Sequence, residues 1–459
     1  MKKTLKGTNF IMKKTICSII VFLLLIGTLS GCGSQAEKLS VRIEGSIFNG
    51  NGVESTAAEL KFDPDWIIKG DNCKYNKELA SFAALLSADT YFREKDLAKG
   101  TQNRVLIEGS DPEEYTWTTM LTQLGFTDAR HIESFEEECD FDVNDSVTMN
   151  LGYMQQGDND IYVAAVRGCF SSGEWSSAFD PGSGTEEYEQ YTGKHPDWVN
   201  KSNLKGFDVA ASRALRIINS FMIEHEDASR NTYFLITGHS RGASIAQIVG
   251  AYMEKTSGIK SFTYTFNSVP CSNDPEAENY KSIFNIVDEG DFFGNLFCFA
   301  SEPLYRYGKT LSGRSGNGIV STELMSEYVS LFQSHFPDRS SLYKKKYISE
   351  VYDDTGAVAS RTDAVNSVIN SESGFGFEAY CTVFEEDDYS IMLEYTDAVQ
   401  IQCIGKVLTY GSAAADAAKI LFESDTEFCS IIDFIVANSA EISSGHLISN
   451  TYELCKNVK

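Results

Sequence analysis

The chain has 459 residues, of which 42% are hydrophobic and 12% aromatic, and only eight are proline. This composition excludes a disordered or fibrous polymer and allows a large buried core, in one large domain or two ordinary ones. The formal net charge of −26 argues against attraction to nucleic acid or to anionic lipid headgroups, because like charges repel.

The N-terminal residues follow the order of a secretory signal. Two lysines precede an apolar run at 19–25, which is too short to span a membrane as a mature helix, and the tetrapeptide LSGC follows at 29–32. LSGC resembles the bacterial lipobox, whose cysteine receives a diacylglyceryl group. We expect 1–31 to be a lipoprotein signal peptide and Cys32 to anchor an extracytoplasmic protein to the outer face of the bacterial cell membrane. The alternative is a buried apolar N-terminal helix.

The remaining cysteines do not point to a metal site. Nine remain besides Cys17 and Cys32, so at least one has no disulfide partner within the chain, and C-x-x-C does not occur. The usual zinc and thioredoxin-like signatures are therefore missing. The sequence leaves the pairing of these cysteines open.

The first third of the chain begins with a polar stretch and continues with residues whose pattern is typical of a folded domain. Residues 32–60 are rich in Gly, Ser and Asn and are expected to form a polar tether or loose strands, ahead of one domain at 61–459. Apolar residues recur at helical spacing from Tyr75 onward. The acidic stretch at 133–145 is expected to be a solvated loop.

Predicted strands and helices alternate through the centre of the chain. Strand-like runs are DIYVAAV, TYFLITG, KSFTYTF and KSIFNIVD, and helical runs precede and follow TYFLITG. Strands separated by helices imply βαβ units and a parallel sheet with covered faces. The fold class predicted is α/β, with a mostly parallel central sheet and helices on both faces.

The rest of the chain divides into a weakly patterned stretch and an ordered tail. Residues at about 301–375 are rich in Ser, Gly and Tyr, and a stretch of this length is expected to be an insertion or a lid. The last hundred residues return to helical patterns.

The stretch FLITGHSRGAS at 234–244 sets Ser240 between two glycines. The pattern G-x-S-x-G is weak alone. Here a predicted strand precedes it and an amphipathic helix follows, which are the parts of a nucleophile elbow. We interpret Ser240 as a nucleophile, and the alternative is an ordinary strand-to-helix loop.

A serine nucleophile needs a base and an acid that orients the base. In folds with a nucleophile elbow, the acid follows the serine along the chain and the base follows the acid. Of the six histidines, only His335 and His446 come after Ser240 in the sequence. We favour His446 as the base because a C-terminal loop could return to the elbow. FNIVDEGDFFGNL offers Asp288 and Asp291 after a strand, although either could be a polar turn residue.

The tetrahedral oxyanion of acyl transfer needs preorganised N–H donors. One is the main-chain N–H of Arg241, the residue after the nucleophile. The second is expected in the segment VAAVRGCFSSGEW, at Cys169 after a glycine.

Together these segments resemble the class-three, fungal-lipase-like branch of the α/β-hydrolases, in its bacterial members. The matching segments, over about 160–310 and the tail, are VRGCFSSGEWSSAF, LKGFDVAA, ITGHSRGA, FNIVDEGDFFGNL and LYRYG. The resemblance assigns the acid to Asp291 and the base to His446. This sequence departs from the family at Cys169, where Thr or Ser is usual, at Leu204, where histidine is usual, and at Arg241, where leucine is usual.

The function predicted is that of a secreted, lipid-anchored serine hydrolase of carboxylic esters, of the triacylglycerol lipase or carboxylesterase type. Ser240, His446 and Asp291 would form the triad and an acyl-enzyme, and the N–H groups of Cys169 and Arg241 the oxyanion hole. Neither metal nor organic cofactor is expected, and the expected partners are an ester or lipid substrate and a membrane, not nucleic acid. The rival is a surface lipoprotein that uses a hydrolase fold only to bind a ligand, and a peptidase or thioesterase is a third possibility.

Overall fold

The computed structural model describes the residues from 38 onward in several stretches. These are 38–46, 53–91, 104–109, 116–134, 146–169, 174, 202–257, 259–293, 304–313, 322–335, 381–383, 391–393, 400, 403–404, 407, 412–423 and 425–457. The predicted signal peptide, Cys32 and most of the acidic stretch lie outside the described residues. None of the helices within the described stretches is long and apolar enough to cross a lipid bilayer.

A seven-stranded sheet forms the centre. Its strands are β4 (Asp128–Ser134), β5 (Val147–Gln156), β6 (Asn159–Val166), β7 (Asn231–His239), β8 (Lys260–Phe266), β9 (Ile283–Asp288) and β10 (Lys309–Gly313). They lie in the order β10-β9-β8-β7-β6-β5-β4, in which β6 to β10 are parallel and β4 and β5 are antiparallel additions at one edge. The four strands that were predicted in the centre of the sequence are β6 to β9, and they lie side by side in chain order.

Alternate residues of the inner strands face opposite sides of the sheet, and both sides are buried. On β7, Phe234 and Ile236 pack into one core, and Leu235 packs into the other. Strands with two buried faces read as continuous apolar runs because neither face meets water. This explains why TYFLITG lacks a polar alternation.

Helices cover both faces of the sheet. On one face lie α4 (Lys205–His225), α5 (Arg241–Tyr252), α6 (Thr322–His335), α7 (Ser412–Leu421), α8 (Thr426–Ala437) and α9 (Ser439–Gly445). On the other lie α1 (Asp65–Ile68), α2 (Lys77–Asp89), α3 (Thr116–Gln123) and α10 (Ile448–Asn457). A single π-turn, Met253–Ser257, extends α5, and a short 3-10 helix, Pro275–Asn279, precedes β9.

The segment expected to be a tether or loose strands contains two nine-residue strands. β1 (Lys38–Ser46) lies between β2 (Val53–Lys61) and β3 (Arg104–Ile107) in a three-stranded sheet. The N-terminal region also contacts the last helix, because the Glu59 N–H donates to the Tyr452 hydroxyl at 3.3 Å and the Tyr75 hydroxyl donates to the Cys455 carbonyl at 2.9 Å.

The described part of the expected insertion belongs to the core. β10 pairs with β9 in the central sheet, and Phe332 of α6 is fully buried. The weak sequence pattern has a physical reason, since β10 is an edge strand with one buried apolar side chain, that of Leu311. The other residues of 301–375 lie outside the described part of the chain, and a two-stranded sheet follows, formed by β11 (Cys381–Val383) and β12 (Ile391–Leu393).

Candidate active site

Ser240 occupies the turn between β7 and α5, in a backbone conformation that side-chain-bearing residues rarely adopt. Its φ is 57° and its ψ is −127°, and its N–H donates to the Phe266 carbonyl at 3.0 Å. Such a conformation costs on the order of 1–3 kcal/mol and persists only where the surroundings enforce it. The predicted order of strand, strained turn and helix is present around Ser240.

The two flanking glycines allow three backbone segments to pass closely. A Cβ at position 238 would lie 2.3 Å from the Gly242 carbonyl oxygen, and one at position 242 would lie 2.2 Å from the Val166 carbonyl oxygen. Both obstacles are main-chain atoms, which cannot rotate away. Glycine is therefore required at position 238 by contact with the start of α5, and at position 242 by contact with the end of β6.

Asp291 and His446 meet although they are 155 residues apart in sequence. The Nδ1 of His446 lies 2.9 Å from Oδ1 of Asp291, and the same oxygen accepts from the Phe293 N–H at 3.0 Å. The Asp291 side chain is fully buried, and His446 is 8% exposed. Since the carboxylate accepts, Nδ1 of a neutral His446 carries the proton and Nε2 keeps its lone pair.

Asp288, the alternative acid, and His335, the alternative base, make other contacts. Oδ1 of Asp288 accepts from the Gly290 N–H at 2.8 Å, which is the contact of a turn residue. His335 lies beside α8, with its Nε2 3.0 Å from the Gln400 amide oxygen and 3.8 Å from the Asp425 carboxylate. The structure thus brings His446, and not His335, to the loop that follows β9.

The segment expected to complete the oxyanion hole lies against the nucleophile. A Cβ on Gly168 would lie 2.9 Å from the Ser240 Cβ, so the backbone entering Cys169 passes directly beside the serine. The thiol of Cys169 donates to the Glu174 carbonyl at 3.5 Å. Arg241 is the first residue of α5, where main-chain N–H groups point out of the helix end.

The side chain of Arg241 belongs to a buried ionic group that the sequence did not predict. Its Nη1 donates to the Ser146 carbonyl at 3.0 Å, and the neighbouring Arg167 guanidinium lies 2.8 Å from the Glu174 carboxylate. These arginines and the glutamate are each at most 2% exposed. The unusual arginine in the elbow was the sequence signal for this group, although its partner at Ser146 precedes it by 95 residues.

Arg306, in the segment LYRYG, lies near the acid. Its Nε and Nη2 donate to the Ser268 carbonyl at 2.9 and 2.8 Å. Burial lowers the pKa of Arg306 to about 10, and the negative charge of Asp291 opposes that shift.

The residues of this site do not form a metal site in the described part of the chain, where no group of three His, Cys, Asp or Glu side chains could hold an ion. Cys73, Cys271, Cys429 and Cys455 are free thiols. Burial raises the pKa of the Cys271 and Cys455 thiols, so both stay protonated at neutral pH.

Residues 163–299 match the sequence model of the family described as lipase (class 3). The matched range holds the end of β6, the elbow and Asp291, whereas His446 lies beyond it. No curated protein matches the chain closely enough to count as a relative.

Three solved lipases are similar to the chain at low identity. The Lip2 lipase of Yarrowia lipolytica is 13% identical, with 51% of this chain and 76% of that chain covered and a TM-score of 0.32. The triacylglyceride lipase of Rhizomucor miehei is 14% identical, with 51% and 78% covered and a TM-score of 0.32. The triacylglycerol lipase of Penicillium expansum is 12% identical, with 53% and 81% covered and a TM-score of 0.31.

The family match confirms the resemblance inferred from the segments around the elbow. Together with the seven-stranded, mostly parallel sheet, it confirms the α/β-hydrolase fold. The match supports a carboxylic ester hydrolase that acts on lipid esters.

Proposed function

We propose that this chain, which carries a class 3 lipase segment at 163–299, is a serine hydrolase of acylglycerols or related lipids. Ser240 is the nucleophile, His446 the base and Asp291 the acid that orients the base. The observation that carries the proposal is the buried 2.9 Å contact between His446 and Asp291 near a serine held at φ 57°.

The reaction follows from the roles of these atoms. The Ser240 Oγ attacks the ester carbonyl while His446 Nε2 takes its proton, and Asp291 stabilises the resulting imidazolium. The N–H groups of Cys169 and Arg241 donate to the oxyanion. The imidazolium then protonates the departing alcohol, and water, activated by His446, releases the carboxylic acid from the acyl-serine.

The membrane part of the proposal rests on the sequence at 13–32. We propose that Cys32 carries a lipid after removal of 1–31, and that the enzyme body stays on the outer face of the cell membrane. The strongly acidic composition supports this assignment, because an anionic body needs an attachment other than charge to remain at anionic headgroups.

Covalent labelling tests the nucleophile. A fluorophosphonate probe should label the wild type, and p-nitrophenyl esters of increasing chain length should be turned over. Ser240→Ala should abolish labelling and lower kcat by about 10⁵- to 10⁶-fold. Ser244→Ala is the matched control, because that buried hydroxyl lies in the first turns of α5, four residues after Ser240, and donates to the Val269 carbonyl.

The same assay separates the alternatives. His446→Ala should abolish labelling, whereas His335→Ala should retain it. A wild type that neither labels nor cleaves esters of any chain length would overturn the proposal in favour of a lipoprotein that only binds a ligand. Labelling without ester turnover would favour another acyl transfer, such as that of a peptidase or thioesterase.

A further inference from the structure

The side chain of His239, the residue before the nucleophile, lies between two other segments of the site. Its Nδ1 is 2.7 Å from the hydroxyl of Tyr91, and its Nε2 is 2.9 Å from the main-chain carbonyl oxygen of His446. His239 is 1% exposed and Tyr91 is 7% exposed. Water therefore does not compete for either contact.

The chemistry of these groups permits one arrangement of protons. A carbonyl oxygen only accepts, so His239 Nε2 carries a proton and donates to His446. Nδ1 of the neutral ring then accepts from the Tyr91 hydroxyl. Burial first, and then the neighbouring His446, lower the pKa of His239, so the ring stays neutral.

These two hydrogen bonds, together with the contact between Tyr91 and Gly168, join three parts of the proposed machinery. Gly168 precedes Cys169 of the oxyanion segment, and His239 precedes Ser240. The carbonyl oxygen that accepts from His239 belongs to His446, the proposed base. A Cβ on Gly168 would lie 2.1 Å from the Tyr91 hydroxyl oxygen, so the tyrosine touches the oxyanion segment directly.

The neutral ring of His239 also matters for charge. Its centroid lies 4.6 Å from that of His446, which must become a cation while the serine attacks. A second cation at this distance would oppose that change. Phe293 covers His446 on another side, with the ring centroids 4.4 Å apart, and carries no charge.

We propose that Tyr91 and His239 are positioning residues that fix the main chain of His446 and the oxyanion segment relative to Ser240. The inference rests on the proposed function of Ser240 and His446. Both act through the backbone of the residues that react, His239 through the His446 carbonyl and Tyr91 through the segment at Gly168. Small misplacements of catalytic groups cost up to about 100-fold in rate, so the contribution should be measurable.

Tyr91→Phe is the principal test, because it removes only the hydroxyl. We expect kcat for a p-nitrophenyl ester to fall by about tenfold or more with KM nearly unchanged, since ground-state binding is untouched. The rate of fluorophosphonate labelling should fall in parallel, while labelling still reaches completion on Ser240.

Tyr153→Phe is the matched control. Its hydroxyl is also buried and donates to the Asp160 carboxylate at 2.9 Å, and its strand position pairs through Tyr162 to Phe234, six residues before Ser240. That separation is roughly 20 Å along a strand. The control should lose some thermal stability and keep the wild-type kcat and labelling rate.

His239→Gln and His239→Leu provide a rescue test. A glutamine amide can still donate to the His446 carbonyl, whereas leucine cannot. The glutamine variant should therefore retain clearly more of kcat than the leucine variant, at temperatures where both are folded by circular dichroism.

The possible failures can be told apart. If the wild type does not label, the proposed function fails. If the wild type labels, and Tyr91→Phe labels at the wild-type rate with only a lower Tm, the two residues are merely structural and the inference is overturned. Should Tyr91→Phe not fold, equal kcat values for the Gln and Leu variants of His239 would overturn it.

Discussion

Two aspartates three positions apart in the loop after β9 have different surroundings. Asp291 accepts from His446 and from the Phe293 N–H, whereas Asp288 accepts from the Gly290 N–H and donates its own N–H to the Asn267 side chain. The contacts of Asp288 close the turn, and those of Asp291 orient a histidine. The sequence alone offered both residues, and only the resemblance to lipases chose between them.

Replacing each aspartate by asparagine separates these roles. Asp291→Asn should lower kcat by about 10⁴-fold, because an amide can no longer hold the tautomer in which His446 Nε2 accepts a proton. Asp288→Asn keeps an oxygen that can accept from Gly290 and should retain kcat within about tenfold. Steady-state ester hydrolysis measures both, and a larger loss for Asp288→Asn would move the acid to position 288.

Contacts between distant residues explain why much of the site was not predictable. The order of residues restricted the base to two histidines, because this fold places it after the serine. The relation between Tyr91 and His239 spans 148 residues and has no periodic signal on either side. The burial of Arg241 against Ser146 likewise depends on the edge strands, which the sequence did not indicate.

At the scale of elements, the predicted parts are those with a strong local pattern. β6 to β9, α4 and α5 were expected because apolar runs and helical spacing alternate over 159–288. The N-terminal strands were less clear, since β1 buries few apolar side chains, among them Val41 and Ile43. β10 was missed because its place in the sheet depends on β9 rather than on its own residues.

The start of α4 contains a carboxyl group whose burial should make stability depend on pH. Asp208 is fully buried, and its Oδ1 accepts from the Asn203 amide at 2.6 Å. Desolvation raises the pKa of Asp208 to about 7, although the Asn203 hydrogen bond opposes the shift. The folded state therefore binds a proton that the unfolded chain has already released between about pH 4 and 7.

Because the folded state binds the Asp208 proton more tightly than the unfolded chain does, the free energy of unfolding falls as the pH rises. The contribution of Asp208 to stability is fully present below about pH 4 and is lost as the pH rises through about 7. Asp208→Asn should remove this dependence and raise the free energy of unfolding at pH 8, relative to the wild type, by a few kcal/mol, since one pKa unit corresponds to about 1.4 kcal/mol.

Denaturant unfolding between pH 5 and 8 measures the effect. Asp158→Asn is the control, because Asp158 is exposed in the turn between β5 and β6, and it should leave the pH dependence as in the wild type. Parallel pH profiles for the wild type and Asp208→Asn would contradict the assignment.

At the scale of the whole molecule, charge and lipid attachment act in opposite directions. The net charge of −26 repels anionic headgroups, so membrane association of the proposed lipoprotein should depend on Cys32 rather than on ionic contacts. In a bacterial host, the wild type should stay in the membrane fraction through a high-salt wash and incorporate labelled fatty acid. Cys32→Ala should do neither.

Cys73→Ala is the control for the anchor, because Cys73 is an exposed free thiol in the enzyme body. It should remain in the membrane fraction with its fatty-acid label. Retention of Cys32→Ala in the washed membranes would show that another segment holds the protein there.

The start of β1 at Lys38 limits the working distance of the anchored enzyme. Even at full extension, the chain from Cys32 to Lys38 spans only about 20 Å, which is comparable to the radius of a small domain. If Cys32 carries the proposed lipid, this short link keeps the enzyme body close to the membrane surface. It would meet only those esters that lie in the membrane or diffuse to it, so its substrates would be defined by location as well as by chemistry.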